Sequence, residues 1–126
     1  SAKAKEMEGR GLRGIFQVAL PARLLLSDAD LCALLGNALD NAMEAAEKSE
    51  DPVIHLRCRV EKGLFMLQVE NALAGDEAPD LATTKEDKAT HGFGLPGMRE
   101  IARRYGGSLE VTAAQGRFLL TACLPQ

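Results

Sequence analysis

Residues 34–47 read LLGNALDNAMEAAE, and within that Ala- and Leu-rich run stand two asparagines four residues apart, Asn37 and Asn41, with Glu44 close behind. Asparagine is a mediocre helix former because its amide competes for nearby backbone groups. Two amides stacked on one helical face therefore need a use. One use is structural: capping a neighbouring loop or facing solvent. The other is a pocket wall that offers amide oxygens to a hard cation, as oxygen ligands do for Mg²⁺ together with phosphates. The residues alone leave both open.

A second stretch, HGFGLPG at 91–97, sets Gly92, Gly94 and Gly97 before a helix. Glycines let a backbone approach phosphates closely, and the first helical N–H groups attract anions. Such turns also precede helices for steric reasons alone. The pattern is not a Walker loop, which needs Gly-Lys-Ser/Thr, nor a dinucleotide fingerprint after an N-terminal strand. Lys85 and Lys88 lie just upstream in TTKEDKATHG, where they could reach a terminal phosphate or belong to a solvated charged loop.

The rest of the chain has to position these groups. GIFQVAL (14–20) and RLLLS (23–27) are short apolar runs divided by Pro21, either two strands or a strand and an extended approach. Ser27 and Asp28 suit the N-cap of a helix reaching about Lys48, where SEDP stops it. At ~100° per residue Leu31, Leu34, Leu35, Ala38, Leu39 and Ala42 make its apolar face, and Asn37 and Asn41 border that face at the helix–sheet seam. VIHLRCRV (53–60) alternates cleanly and pairs through EKG with LFMLQVEN (64–71) as an antiparallel hairpin. From Ala72 to about His91 no apolar stripe is present, and a long polar stretch inside a domain reads as a functional lid that gains order with ligand. A helix, REIARRYGG, then closes at Gly106 or Gly107, and SLEVTAA and RFLLTACL form a last hairpin about QG. The order implies an α+β two-layer sandwich, one mostly antiparallel sheet covered on one face by helices.

Composition sets the outer bounds. A chain of 126 residues with net charge −3 is one domain by length, and its acidic balance argues against a nucleic-acid partner. No apolar run is long enough to span a bilayer. Cys32, Cys58 and Cys123 are far apart in apolar patterns, so reduced core thiols are expected rather than metal ligands or disulfides. The start at Ser1 suggests a trimmed beginning. Residues 1–13 are expected to be a flexible lead-in or tag remnant, and 14–126 the folded domain.

The conjunction of these parts resembles a known family. LLGNALDNAMEA is similar to the N box of the GHKL ATPases, the group that includes gyrase-type ATPase domains, MutL, heat-shock chaperone ATPases and sensor histidine kinases. HGFGLPGMREIARRYGG resembles the second glycine box and following helix of histidine kinases, and TTKEDKATHGFGL with DLCALLGNALDNAMEA resembles most the peptide-pheromone and quorum-sensing receptor type. The resemblance runs from about residue 14 to Leu124–Pro125.

It implies the two-layer fold of the histidine-kinase ATPase (Bergerat) type, binding ATP and Mg²⁺. Asn41 matches the Mg²⁺-ligating position, and Asn37 the position one turn earlier that faces the phosphates. Gyrase-like members carry a glutamate there as hydrolytic base. Asparagine cannot abstract a proton, so the chain is expected to hold ATP for transfer rather than hydrolyse it. Gly92 and Gly94 match the glycine-box positions lining the triphosphate, Leu95 beside them is a further binding candidate, and His91 either contacts phosphate or caps the lid, with Lys85 and Lys88 as phosphate-reaching candidates. Asn71 matches the aspartate that usually accepts the adenine amino hydrogen. The sequence departs from the family in VENALAGDE, which lacks Asp-x-Gly-x-Gly, and near Leu119, which replaces the usual Thr of the last hairpin. Weaker nucleotide binding follows.

His55 and His91 are the two histidines, neither on a helical phosphoacceptor segment. The expectation is therefore the catalytic ATP-binding domain of a two-component sensor histidine kinase, inactive in autophosphorylation alone. Its expected partners are the histidine-bearing dimerisation segment of its own receptor and a downstream response regulator. Its expected place is the cytoplasmic side of a membrane-anchored bacterial receptor. The alternatives are an anti-sigma-factor-type serine kinase and a degenerate nucleotide-binding interaction module.

Overall fold

The computed structural model describes residues 2–74 and 94–126. Five strands form a single mixed sheet: β1 (Arg13–Ala19), β2 (Val53–Glu61), β3 (Leu64–Ala72), β4 (Ser108–Ala114) and β5 (Arg117–Pro125), in the order β1-β2-β3-β5-β4. The β1–β2 pair is parallel and the other three pairs are antiparallel. Two-residue turns at Lys62–Gly63 and Gln115–Gly116, all four residues with positive φ, close the two hairpins at the sites read from sequence.

Among the described residues three helices lie on one face: α1 (Ala2–Gly9), α2 (Asp28–Glu47) and α3 (Gly94–Arg104). The alternation of the strands sets which face they cover. Ile54, Leu56 and Cys58 of β2, Phe65, Leu67 and Val69 of β3, and Phe118, Leu120, Ala122 and Leu124 of β5 are all buried under the helices. They meet Leu34, Ala38, Leu39, Ala42, Met43 and Ala46 of α2, and Leu95, Met98, Ile101 and Ala102 of α3. Among the described residues no helix is long and apolar enough to cross a membrane.

α2 forms where the sequence places it. Ser27 caps it with an extended backbone (φ −68°, ψ 156°), its hydroxyl accepting from Asp30 N at 3.1 Å, and Asp28 and Asp30 sit in the first turn, where carboxylates complement the helix dipole. Residues 20–27 contain no strand, so RLLLS is an irregular approach. α1 was not expected: residues 2–9 are helical instead of frayed. Met7 and Leu12 enter the core, and α1 is tied to α2 by Lys3–Asp40 and Arg10–Glu47 ion pairs. Two anchors among many charges were too few to reveal a helix by periodicity.

α3 also starts earlier than expected. The run GLPGM forms its first turns instead of a loop before it, because Pro96 is tolerated where backbone N–H groups need no helical partner. Both candidate glycines end the helix. Gly106 adopts φ +74° and donates to Arg103 O at 3.0 Å, while Gly107 N donates to Ala102 O at 2.9 Å, the paired bonds of a Schellman cap. A Cβ at Gly107 would lie 2.1 Å from the Cys123 carbonyl oxygen, so the corner into β4 has no room for a side chain.

Candidate functional site

At about 100° per residue Asp30, Asn37 and Asn41 fall within about 40° of one another on one border of the α2 core stripe. The α1 contacts, Asp40, Met43 and Glu47, occupy the other border. Asp30 receives the Tyr105 hydroxyl and pairs with Arg104 at 3.2 Å, both at the C-terminal end of α3. The amide-bearing border therefore faces α3. β1 and β2 are parallel, so the α2 crossover runs opposite to them; α3 leads into β4, which runs opposite to β5 and parallel to β3. The two helices are thus antiparallel. From the Asp30–Arg104 contact, about 16 Å along α2 and about 15 Å back along α3 bring Asn41 and Gly94 to one level.

Neither asparagine of α2 is fully buried, as expected for a seam. The Asn37 side-chain nitrogen donates to Ala33 O at 2.7 Å, one turn back, which holds the amide against its own helix. The Asn41 amide has no hydrogen-bond partner among the described residues. Asn71 lies in the sheet beneath. It pairs with Ile54 and Phe118 in the row facing the helices and is 1% exposed, the one buried polar side chain among the described residues. Its nitrogen donates to Ala72 O at 2.9 Å, while its oxygen has no partner among the described residues. A buried acceptor left unpaired costs about 1–3 kcal/mol, so this oxygen is suited to a donor from outside.

Asn71 sits at the end of β3 where β2 and β5 begin, which is also the end where α2 finishes and α3 starts. There Gly94 is buried with φ +60°, and Leu95, 6% exposed, packs in the core. The structure thus brings Asn41, Asn71, Gly94 and Leu95 to one end of the seam between α2, α3 and the sheet, the candidate cleft, with Asn37 a turn away. Lys85, Lys88, His91, Gly92 and nearly all of the expected lid lie outside the described residues.

Leu119 does not belong to this cleft. It alternates with the buried Phe118 and Leu120 and so points to the open face of the sheet, beside His55, Arg57, Gln68 and Glu70, around a shallow cavity of about 230 Å³. The cleft-facing neighbour of Asn71 on β5 is Phe118. The cysteines also divide. Cys58 is buried, and burial pushes its thiol up to about 11, but Cys32 is exposed on α2 and Cys123 is half-buried on the open face. Only Cys58 is a core thiol.

Sequence reasoning missed the joint at the far end of the helices. Ser27 N donates to the Tyr105 hydroxyl at 3.2 Å, that hydroxyl donates to Asp30, and Asp30 N returns to Ser27 Oγ. Tyr105 first, then Ser27 and Arg104, hold the Asp30 carboxyl below its ordinary range. The signal was present: the arithmetic that puts Asn37 and Asn41 on one border puts Asp30 there as well.

An amide oxygen at Asn41, a buried acceptor at Asn71 and a glycine-opened helix N-terminus suit a polyanion carrying a hydrogen-bonding ring. Among the described residues no three His, Cys, Asp or Glu side chains gather for a metal. An amide oxygen is a ligand type that can share a divalent ion with an anion's own oxygens, as happens for Mg²⁺ with phosphates. The family model described as "GHKL domain" matches residues 26–125. The C4-dicarboxylate transport sensor protein DctB of Rhizobium meliloti (strain 1021) is 39% identical over 85 residues, covering 62% of this chain. The chain spans 13% of that protein's length. Two solved structures share the fold at low identity. The histidine kinase AdeS of Acinetobacter baumannii gives a TM-score of 0.65 at 17% identity, over 98% of this chain and 61% of that one. The catalytic domain of histidine kinase ThkA gives 0.71 at 17% identity, over 98% and 85%.

Proposed function

The chain belongs to the GHKL domain family, and we propose that it is the ATP-binding catalytic domain of a sensor histidine kinase, presenting Mg-ATP to a histidine carried on a separate helical dimerisation segment. The observation that carries this is the convergence at one end of the cleft: the Asn41 amide, unpartnered among the described residues, the buried Asn71 oxygen and the first turn of α3. The sensor-protein relative supports the signalling assignment, with a response regulator as the downstream partner and the cytoplasmic side of a bacterial membrane receptor as its setting.

In this reading the Asn71 oxygen accepts the adenine amino hydrogen, and Leu95 packs beside the base. Asn41 is the protein's ligand to Mg²⁺, which when bound neutralises phosphate charge. Asn37, oriented by its bond to Ala33 O, faces the phosphates. Gly92 and Gly94 let the backbone approach the triphosphate, and His91, Lys85 and Lys88 supply charge and donors to its outer end. Asn37 stands where gyrase-like members carry a glutamate base, and its amide cannot abstract a proton from water. The domain therefore positions the γ-phosphate without spending it, and positioning is most of what phosphoryl transfer requires.

The test adds the parent receptor's dimerisation segment in trans with γ-labelled ATP. The expected product is acid-labile label on that segment's histidine, and none without the segment. Acid-stable label on a serine would assign a serine kinase instead. Nucleotide binding without any transfer would leave a docking module.

A further inference from the structure

The nucleotide end of the cleft is formed by α2, α3 and the sheet, yet among the described residues the hydrogen-bonded joint between the two helices lies at the opposite end. We infer that Tyr105 and Asp30 are positioning residues: they form a latch that sets how α3 lies along α2, and so where Gly94 and Leu95 stand relative to Asn41. The inference rests on the nucleotide-binding reading above.

The latch is a closed ring of hydrogen bonds. The Tyr105 hydroxyl accepts from the Ser27 backbone and donates to the Asp30 carboxylate, whose own backbone N–H returns to the Ser27 hydroxyl. Arg104 adds an ion pair to the same carboxylate at 3.2 Å. The N-cap of α2 and the last turn of α3 are thereby one unit. A second constraint meets it from the sheet side, where Gly107 is pressed against the Cys123 carbonyl.

This end of α3 is therefore tied by polar bonds, whereas the other end, the far arm of the lever, is held by the apolar packing of Leu95 and Met98. Ten residues at 1.5 Å make that arm about 15 Å long, so each degree of rocking at the latch moves Gly94 by roughly 0.3 Å. Loss of the Tyr105 hydroxyl removes two of the ring's three bonds and leaves the ring of the side chain in place. A few degrees of freedom at the pivot suffice to misplace the α3 N-terminus by about 1 Å, a displacement that can cost on the order of 100-fold in a positioned site.

The experiment compares Tyr105→Phe and Asp30→Ala with a control, Lys3→Ala, which removes an ion pair on the α1 border of α2. Each folded variant is titrated with Mg-ADP, and the backbone amide of Gly94 and the side-chain amide of Asn41 are followed by NMR without nucleotide. The latch variants should bind Mg-ADP at least tenfold more weakly and shift both resonances, about 15 Å from the altered hydroxyl. The control should do neither, at whatever cost in melting temperature. Latch variants that melt earlier but keep Mg-ADP affinity within twofold, with both resonances unmoved, reduce the latch to a structural tie and overturn the inference. If the unaltered protein binds no Mg-ADP, the functional reading fails by itself. The nucleotide-free resonances then decide the latch: shifted signals uphold its control of α3, and unmoved ones refute it.

Discussion

At the scale of single residues the site is built from amides, and each has its own expected signature. Asn41→Ala removes an oxygen with no other partner among the described residues, so the fold should persist. Mg-nucleotide binding should weaken by about tenfold or more, the size of one lost contact to charge, and become insensitive to Mg²⁺. A folded variant whose binding still depends on Mg²⁺ would return Asn41 to a structural role. Asn71→Leu is the companion: it keeps the site filled and deletes the acceptor, so preference for adenine over guanine nucleotides should fall. Unchanged base preference would show that the buried oxygen serves the fold alone. The asparagine spacing was legible in the sequence because helical arithmetic needs only residue numbers. The orientation of Leu119 was not. A strand's facing depends on register, and one residue of offset moves a side chain to the other face of the sheet. That is why Phe118, not Leu119, stands beside Asn71.

At the scale of elements, the strands and α2 were readable since alternation and a 3.6-residue period are each sustained over many residues. α1 was not, because its contribution to the core is essentially Met7 with Leu12 just beyond. Met7→Ala should cost about 2 kcal/mol or slightly more in urea unfolding, the lower end for a buried Met. A loss near zero would make α1 an appendage. The α3–β4 corner is stricter. Gly107→Ala forces a methyl group onto the Cys123 carbonyl, and overpacking of that kind costs about 1–3 kcal/mol, whereas Gly9→Ala, with open space around it, should be harmless. The cysteines report the same packing by chemistry. Iodoacetamide should label Cys32 quickly and Cys58 only on unfolding, since the latter is buried with its thiol raised to about 11 and therefore protonated. Rapid labelling of Cys58 in the native protein would contradict the buried row of β2.

At the scale of the whole molecule, ion pairs join elements that the chain separates: α1 to α2 through Arg10–Glu47, α3 to α2 through Arg104–Asp30, and the β5 start to the approach of β2 through Arg117–Asp51. Tyr105 at Asp30, Arg10 at Glu47, and the Val53 amide followed by Arg117 at Asp51 hold those carboxyls below their ordinary values. A depressed carboxyl contributes stability above its unfolded pKa and loses it as pH falls through the folded one. Urea midpoints should accordingly change little from pH 7 to 5 and drop below about pH 4; a midpoint flat to pH 3 would deny these pairs any role. Helical arithmetic puts Asp30 on the asparagine border, but nothing in the sequence shows which cation meets it there, since Arg104 lies 74 residues away. The architecture was visible, because element order and apolar faces leave few ways to stack two helices on this sheet. What that architecture is for comes down to one cleft. Isothermal titration with a non-hydrolysable ATP analogue, with Mg²⁺ and with EDTA, addresses it directly. One-to-one binding that weakens on chelation is expected, with a dissociation constant below millimolar. No heat of binding at millimolar analogue in either buffer would contradict it.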